Sequence, residues 1–263
     1  MGANARADTS ENSSLIVERR DRILIVTINR PAARNAINAE VSHGLADAMD
    51  LLDSSADLSV GVLTGAGGNF CAGMDLKAFI AGEDVGIEGR GLGFTEAPPR
   101  KPVIAAVEGF ALAGGSELAL ATDMIVASRT ASFGLPEVKR GLVAGGGGLL
   151  RLPQRIPYQI ALELALTGEA FSAELAHRFG LVNHLVEPGE ALDRALELAA
   201  VICRNGPLAV AVTKQIVVGS ADWTGAEAFD RQRTLLEPVF SSRDAREGAE
   251  AFAQKREPVW TGE

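Results

Sequence analysis

The chain is poor in the residue types that most often carry chemistry. Among 263 residues there are two cysteines, three histidines and one tyrosine. Cys71 and Cys203 lie far apart and form no disulfide framework, so a reducing compartment is expected. His43, His177 and His184 fall in no metal-ligand spacing and beside no nucleophile motif, so each reads as a surface or packing residue and no metal is expected. Basic residues are outnumbered, 25 Lys and Arg against 34 Asp and Glu. The resulting net charge of −9 argues against nucleic acid or an anionic membrane surface as partner. No apolar run reaches the length of a membrane span. The opening MGANARADTSENSS lacks the apolar stretch of a secretory signal and carries Arg6 where a myristoylation signal wants Ser or Thr. A disordered tail over residues 1–13 and a cytoplasmic location are expected.

Several motifs are missing too. GAGGNF at 65–70 is followed by no Gly-Lys-Ser/Thr, and neither it nor AGGGGLL at 144–150 fits a dinucleotide fingerprint. There is no G-x-S-x-G elbow, and Ser116 has no histidine near it in sequence. Cys71 reads as a small buried hydrophobe. No cofactor is expected.

What the chain does have is apolar residues, 47% of the total. ILIVTIN (23–29), VGVLTG (60–65), VIAAVEG (103–109) and MIVAS (124–128) are continuous apolar runs, as expected of strands covered on both faces. Helical patterns lie between and after them at 39–55, 116–123 and 157–168. Strand runs stop after about residue 190, and 191–205, 207–219, 224–240 and 242–256 read as helices. The expectation is an α/β core over 14–200 and a helical region over 201–263. Residues 82–99, rich in Gly and charge, read as a long mobile loop near whatever site exists.

Three stretches remain. ALAGGSELALATD (111–123) opens a helix with Gly114 and Gly115, which cost about 1 kcal/mol each relative to Ala in a helix interior, and then places Glu117 among apolar neighbours. FCAGMDL (70–76) sets Gly73 before Met74 ahead of another helix, and FGLPEV (133–138) sets Glu137 behind a proline. Singly, each glutamate reads equally as a residue complementing a helix dipole. Together they fit one chemical need. Two backbone N–H groups from the glycine turns can hold one carbonyl oxygen as it becomes an enolate, and two carboxyls can move a proton and activate water. Apolar neighbours would raise a carboxyl pKa towards neutrality.

The run AAVEGFALAGGSELALATDMIVASRTASFGLPEVKRGLVAGGGGLLRLPQRI strongly resembles the enoyl-CoA hydratase/isomerase (crotonase) family. TGAGGNFCAGMDL, TGEAFSAELAHRFGLVNHLV, NRPAARNAI and GAEAFAQKREP extend the resemblance to residues 14–257. It implies a spiral of ββα turns with C-terminal helices that assemble a homotrimer or a dimer of trimers. It implies an acyl-CoA thioester substrate whose carbonyl accepts bonds from the amides of Met74 and Gly114. It places Glu117 at water activation and Glu137 at proton exchange on the α-carbon. The coenzyme A moiety would run past Arg34, Ala72, Asp75, Leu76 and Lys77, with Phe252 and Lys255 lent by a neighbouring subunit. Ala113 and the AGGGGLLRL segment depart from the usual family pattern without removing a catalytic group. The function implied is hydration of a 2-enoyl-CoA to a 3-hydroxyacyl-CoA. The alternatives are Δ3–Δ2 isomerisation, other CoA-thioester chemistry, and non-catalytic acyl-CoA binding.

Overall fold

The computed structural model describes residues 13–263. The expected tail therefore lies outside the described residues, apart from its last position. Strands β1 (Leu15–Arg20) and β2 (Ile23–Ile28) form an antiparallel hairpin, the only antiparallel pair among the described residues of a six-stranded sheet. The parallel strands are β2, β3 (Val60–Gly65), β4 (Val103–Val107), β6 (Met124–Ser128) and β9 (His184–Val186), and the sheet order is β1-β2-β3-β4-β6-β9. A second sheet, order β5-β7-β8, holds β5 (Phe110–Leu112), β7 (Ser132–Gly134) and β8 (Phe171–Ser172).

The four apolar runs became β2, β3, β4 and β6 because both faces of these strands are covered. Leu24, Val26, Ile28 and Leu63 enter one core, with α1 (Ala39–Ser54) packed over them. Ile23, Ile25, Val60, Val62, Ile104 and Ala106 enter the other, beneath Ala191, Ala195 and Ala199 of α7 (Ala191–Cys203). Each fully buried aliphatic side chain contributes roughly 1.5–3 kcal/mol. Asn38 caps α1 by accepting a bond from the Val41 amide, and Val41, Leu45, Met49 and Leu52 supply its buried stripe.

Three turns of chain repeat one order. β3 is followed by a bridge at Cys71 and then α2 (Leu76–Ile80); β4 is followed by β5 and α3 (Gly114–Ala121); β6 is followed by β7, a 3-10 turn over Pro136–Arg140, and α4 (Gly148–Arg155). Cys71 pairs with Ala111, and β5 pairs in parallel with β7, so the short segments of successive turns stack beside the large sheet. This is the expected spiral of ββα units, a structural repeat with no sequence repeat.

Helices α5 (Tyr158–Thr167) and α6 (Ala173–Arg178) lead to β9. After α7 come α8 (Pro207–Gly219), α9 (Ala228–Phe240) and α10 (Arg243–Gln254). Lys214 on α8 ties this region to the core, with Nζ 2.7 Å from the Asp123 carboxylate and 3.0 Å from the Lys101 carbonyl. Val217, Phe229, Phe240 and Phe252 are exposed on the terminal helices. Among the described residues no single helix is long and apolar enough to cross a membrane.

Residues 82–99 are irregular, as expected, but tied down. Phe94 is fully buried, and Arg90 bonds to the Asp50 carboxylate and to the carbonyls of Ala46 and Gly93. The charge that suggested mobility includes the residue that anchors the loop.

Candidate active site

Single backbone hydrogen bonds stitch four segments together around the end of β5. The Ile37 amide donates to the Gly73 carbonyl at 2.8 Å, and the Asp75 amide donates to the Ile37 carbonyl at 2.8 Å. Cys71 and Leu112 are joined by amide bonds to the Phe110 and Cys71 carbonyls at 2.8 and 3.0 Å, and Ala113 donates to Gly134 at 2.8 Å. Apart from the Gly115 and Ser116 amides in the open first turn of α3 (Gly114–Ala121), two amides in this patch are left over. Neither Met74 nor Gly114 donates to any acceptor among the described residues. The two are neighbours, since a Cβ built on Gly114 would lie 3.7 Å from the Met74 nitrogen. A leftover pair of N–H groups in a sheltered patch is suited to hold an oxygen that accepts twice.

Backbone conformation creates the pair. Gly73 has φ +103°, and a Cβ there would sit 2.6 Å from the Ala113 Cβ and 3.0 Å from the Leu112 carbonyl oxygen. Gly115 allows a close approach to the Cys71 carbonyl, which any Cβ would strike. Ala113 itself holds φ 51°, ψ −125°, a conformation that belongs to glycine. The methyl group there is a local strain, so Ala113→Gly is expected to raise stability by about 1 kcal/mol, read from the midpoint of urea unfolding. An unchanged or lowered midpoint would show that the strain is relieved elsewhere. Ser116 serves the same patch structurally: its hydroxyl donates to the Ala111 carbonyl at 2.6 Å and accepts from the Gly134 amide at 2.9 Å.

Met74 and Gly114 line a cavity of about 690 Å³, and so do Glu117 and Glu137. Glu117 lies in the first turn of α3, 3% exposed. Its Oε1 accepts from the Gly148 amide at 3.0 Å, at the start of α4. Burial pushes the Glu117 pKa up, while the amides of Gly148 and Gly146 and the Arg151 cation pull it down. Glu137 comes from the 3-10 turn behind Pro136. Burial is the main cause that raises its pKa too, and the negative charge of Glu117 adds to it; its own backbone amide and Arg140 act the other way. Its Oε2 is buried and has no partner among the described residues. One carboxyl is thus supplied with donors, and the other keeps one buried oxygen without any. Cys71 contributes nothing reactive: it is fully buried and its thiol is pushed up to about 12.

The other residues singled out from sequence divide into two groups. Ala72 and Leu76 line the cavity. The Ala72 amide donates to the Arg34 carbonyl at 3.0 Å, and the Arg34 guanidinium lies 5.7 Å from the centroid of the Phe110 ring at the same edge. Lys77 is exposed on α2 nearby. Asp75 spends its carboxylate on structure: it caps α2 through the Lys77 and Ala78 amides and pairs with Arg30 at 2.9 Å, which lowers its pKa. Phe252, 87% exposed on α10, and Lys255 at its C-cap do not line the cavity of this chain. Residues the sequence did not mark are Leu92, Gly146, Gly148 and Arg151. The only signal for them was the glycine tract 145–148, which reads as a loose turn until Glu117 is seen to use its amides. A second, almost wholly apolar cavity of about 400 Å³ lies behind Glu137 and Val143, between α4 and α5.

Three comparisons bear on this arrangement. Residues 18–263 match the family model described as enoyl-CoA hydratase/isomerase. The chain is 67% identical to a crystal structure of an enoyl-CoA hydratase from Mycobacterium marinum, with a TM-score of 0.95 over 96% of this chain and 100% of that one. It is 43% identical to an enoyl-CoA hydratase of Mycobacterium tuberculosis, covering 96% of this chain and 98% of the relative. A carnitinyl-CoA dehydratase of Proteus mirabilis is 42% identical, covering 95% and 99%.

Proposed function

We propose, from the premise that the chain belongs to the enoyl-CoA hydratase/isomerase family, that it is a hydro-lyase adding water across the conjugated double bond of a 2-enoyl-CoA thioester. The observation that carries this reading is the meeting, in one cavity, of two unbonded backbone amides and two carboxyls in unlike surroundings. In this reading the thioester oxygen accepts from the amides of Met74 and Gly114. Glu117, supplied with amide donors and a nearby cation, takes a proton from water as the oxygen of that water bonds to the β-carbon. The electrons of the double bond move to the thioester oxygen, where the two donors stabilise the enolate. Glu137, whose unpartnered oxygen favours the protonated acid, delivers its proton to the α-carbon. Exchange with solvent resets both groups. The steps are proton transfers and one addition, and they call for no cofactor beyond the coenzyme A already on the substrate.

Coenzyme A is read as lying past Arg34, Ala72, Leu76 and Lys77, with the backbone of Asp75 alongside. The exposed Phe229, Phe240 and Phe252 support self-association through the C-terminal helices, as a homotrimer or a dimer of trimers, which would bring Phe252 and Lys255 to a neighbour's site. A monomer mass by light scattering at micromolar concentration would remove that part of the reading.

The test of the reaction is the loss of enoyl absorbance from crotonyl-CoA and longer 2-enoyl-CoAs. A 3-enoyl-CoA that gains absorbance, with no 2-enoyl-CoA consumed, would turn the reading to isomerisation. Tight thioester binding with neither change would turn it to a binding protein.

A further inference from the structure

One half-buried cation beside the cavity has no carboxylate paired with it among the described residues. Arg151, on the first turn of α4, turns its guanidinium back over the glycine tract instead. Nη2 donates to the Thr95 carbonyl in the 82–99 loop, and Nη1 lies so close over Gly147 that a Cβ there would collide with it. Gly147 has φ +94° and immediately precedes Gly148, whose amide holds Glu117.

The contact with Thr95 leads back into the site. Thr95 is buried, and its hydroxyl accepts from the Leu92 amide at 3.0 Å. The Leu92 side chain lies against both glycines of the reaction centre: a Cβ on Gly114 would be 3.0 Å, and one on Gly146 2.9 Å, from Leu92 Cδ1. Leu92 itself lines the cavity. An unbroken set of contacts therefore runs from Arg151 through Thr95 and Leu92 to the donor at Gly114. A second, through Gly147 and Gly148, runs to Glu117.

We propose that Arg151 is a positioning residue with two separable tasks: its fork latches the loop that carries Leu92, fixing the acyl side of the cavity, and its charged head, seated over Gly147, braces the turn whose Gly148 amide holds Glu117. The proposal rests on the reading of Glu117 as the water-activating base. Arg supplies both tasks because a planar guanidinium can bond a carbonyl with one nitrogen while another faces elsewhere, and because it stays charged when half-buried. The groups that face Glu117 are Arg151 and the amides of Gly146 and Gly148 from the α4 entrance, and Glu137 from the 3-10 turn, itself faced by Arg140.

The two tasks separate in two variants, assayed by hydration of crotonyl-CoA and a longer 2-enoyl-CoA across pH in the full-length protein. Arg151→Gln keeps a donor and loses the charge. Removing the cation and loosening the turn that carries the Gly148 amide both favour the protonated form of Glu117, so the acid limb of kcat/KM moves to higher pH, with a loss on the acid side that recovers as pH rises. Arg151→Lys keeps the charge and loses the fork. Its acid limb stays in place while KM for the longer substrate rises about tenfold. A purely structural role predicts equal loss at every pH and no difference between the variants, and that result would overturn the proposal, as would wild-type profiles in both. If Arg151→Gln does not fold, the Lys variant decides: a displaced limb or an unchanged KM rejects the assignment. Glu117→Gln is run alongside. Full activity in that variant removes the reading of Glu117 as the base, whereas its collapse beside an unmoved limb in Arg151→Gln removes only the proposal.

Discussion

Glu137→Gln is expected to slow 2-enoyl-CoA hydration about 10²–10⁴-fold while thioester binding survives. Gln keeps the size and the half-buried setting of the side chain but cannot give up a proton to the α-carbon. The neutral amide also removes a burden. Burial raises the Glu137 pKa, so the folded state holds this proton more tightly than the unfolded chain does. A raised carboxyl pKa costs stability as pH climbs through the unfolded value towards the folded one, and it costs nothing below both. The variant is therefore expected to gain thermal stability at pH 8 and to gain little at pH 4, measured as the shift in Tm at each pH. Lost turnover with that gain marks a group kept for chemistry at the expense of the fold. Turnover within a few-fold of wild type would remove Glu137 from the mechanism. Glu117→Gln is expected to lose a comparable factor; burial raises the Glu117 pKa as well, so it too gains stability at pH 8, but less, because Gln keeps only one acceptor oxygen for the amides of Gly146 and Gly148.

The second large effect is expected at Gly73. Its φ of +103° is one that L side chains rarely adopt, and its Cβ would press on Ala113 and on the Leu112 carbonyl, directly between the two donor amides. Gly73→Ala therefore displaces Met74 from Gly114 without touching any carboxyl. A loss of about 10²–10³ in kcat follows if one of the two donors ceases to reach the developing oxyanion. The fold carries an added strain of about 1–3 kcal/mol, visible in the unfolding midpoint. The informative quantity is the ratio of effects, since enolate stabilisation appears in kcat far more than in KM. A variant that keeps wild-type kcat while unfolding earlier would show that these amides are not the oxyanion donors.

Much of this was legible in the sequence because it depends on patterns with one physical cause. Continuous apolar runs at 23–29, 60–65, 103–109 and 124–128 have no solvent-facing side, and they became the central strands. The helix expected over 157–168 is found at Tyr158–Thr167, ended by Gly168 at φ +63°. The helix expected from 116 begins two residues earlier, at Gly114. Its first amides have no partner within the helix, so glycine there is no break in the helix but its open end. Strands β5, β7 and β8 were not legible: segments of two or three residues carry no periodicity, and only their neighbours hold them. The segment 144–150 was misleading in an instructive way. As sequence it is loose; in the fold its later glycines bring amides to Glu117 and leave space for Arg151. Asp75 shows the opposite limit. Its place ahead of a helix was readable, but the ion pair that occupies its carboxylate depends on Arg30, 45 residues away.

The leftover amide at residue 74 belongs to the main chain, and every residue except proline supplies it. Inheritance can therefore change that side chain without changing the donor. Met74 lines the cavity, whereas the flanking Gly73 is held by its conformation and by the lack of room beside Ala113. Under the proposed reaction, drift is thereby channelled: substitutions at 74 would alter the cavity while keeping the donor, and those at 73 would not. A scaffold arranged this way can diversify what it acts on in single steps, each passing through a working catalyst.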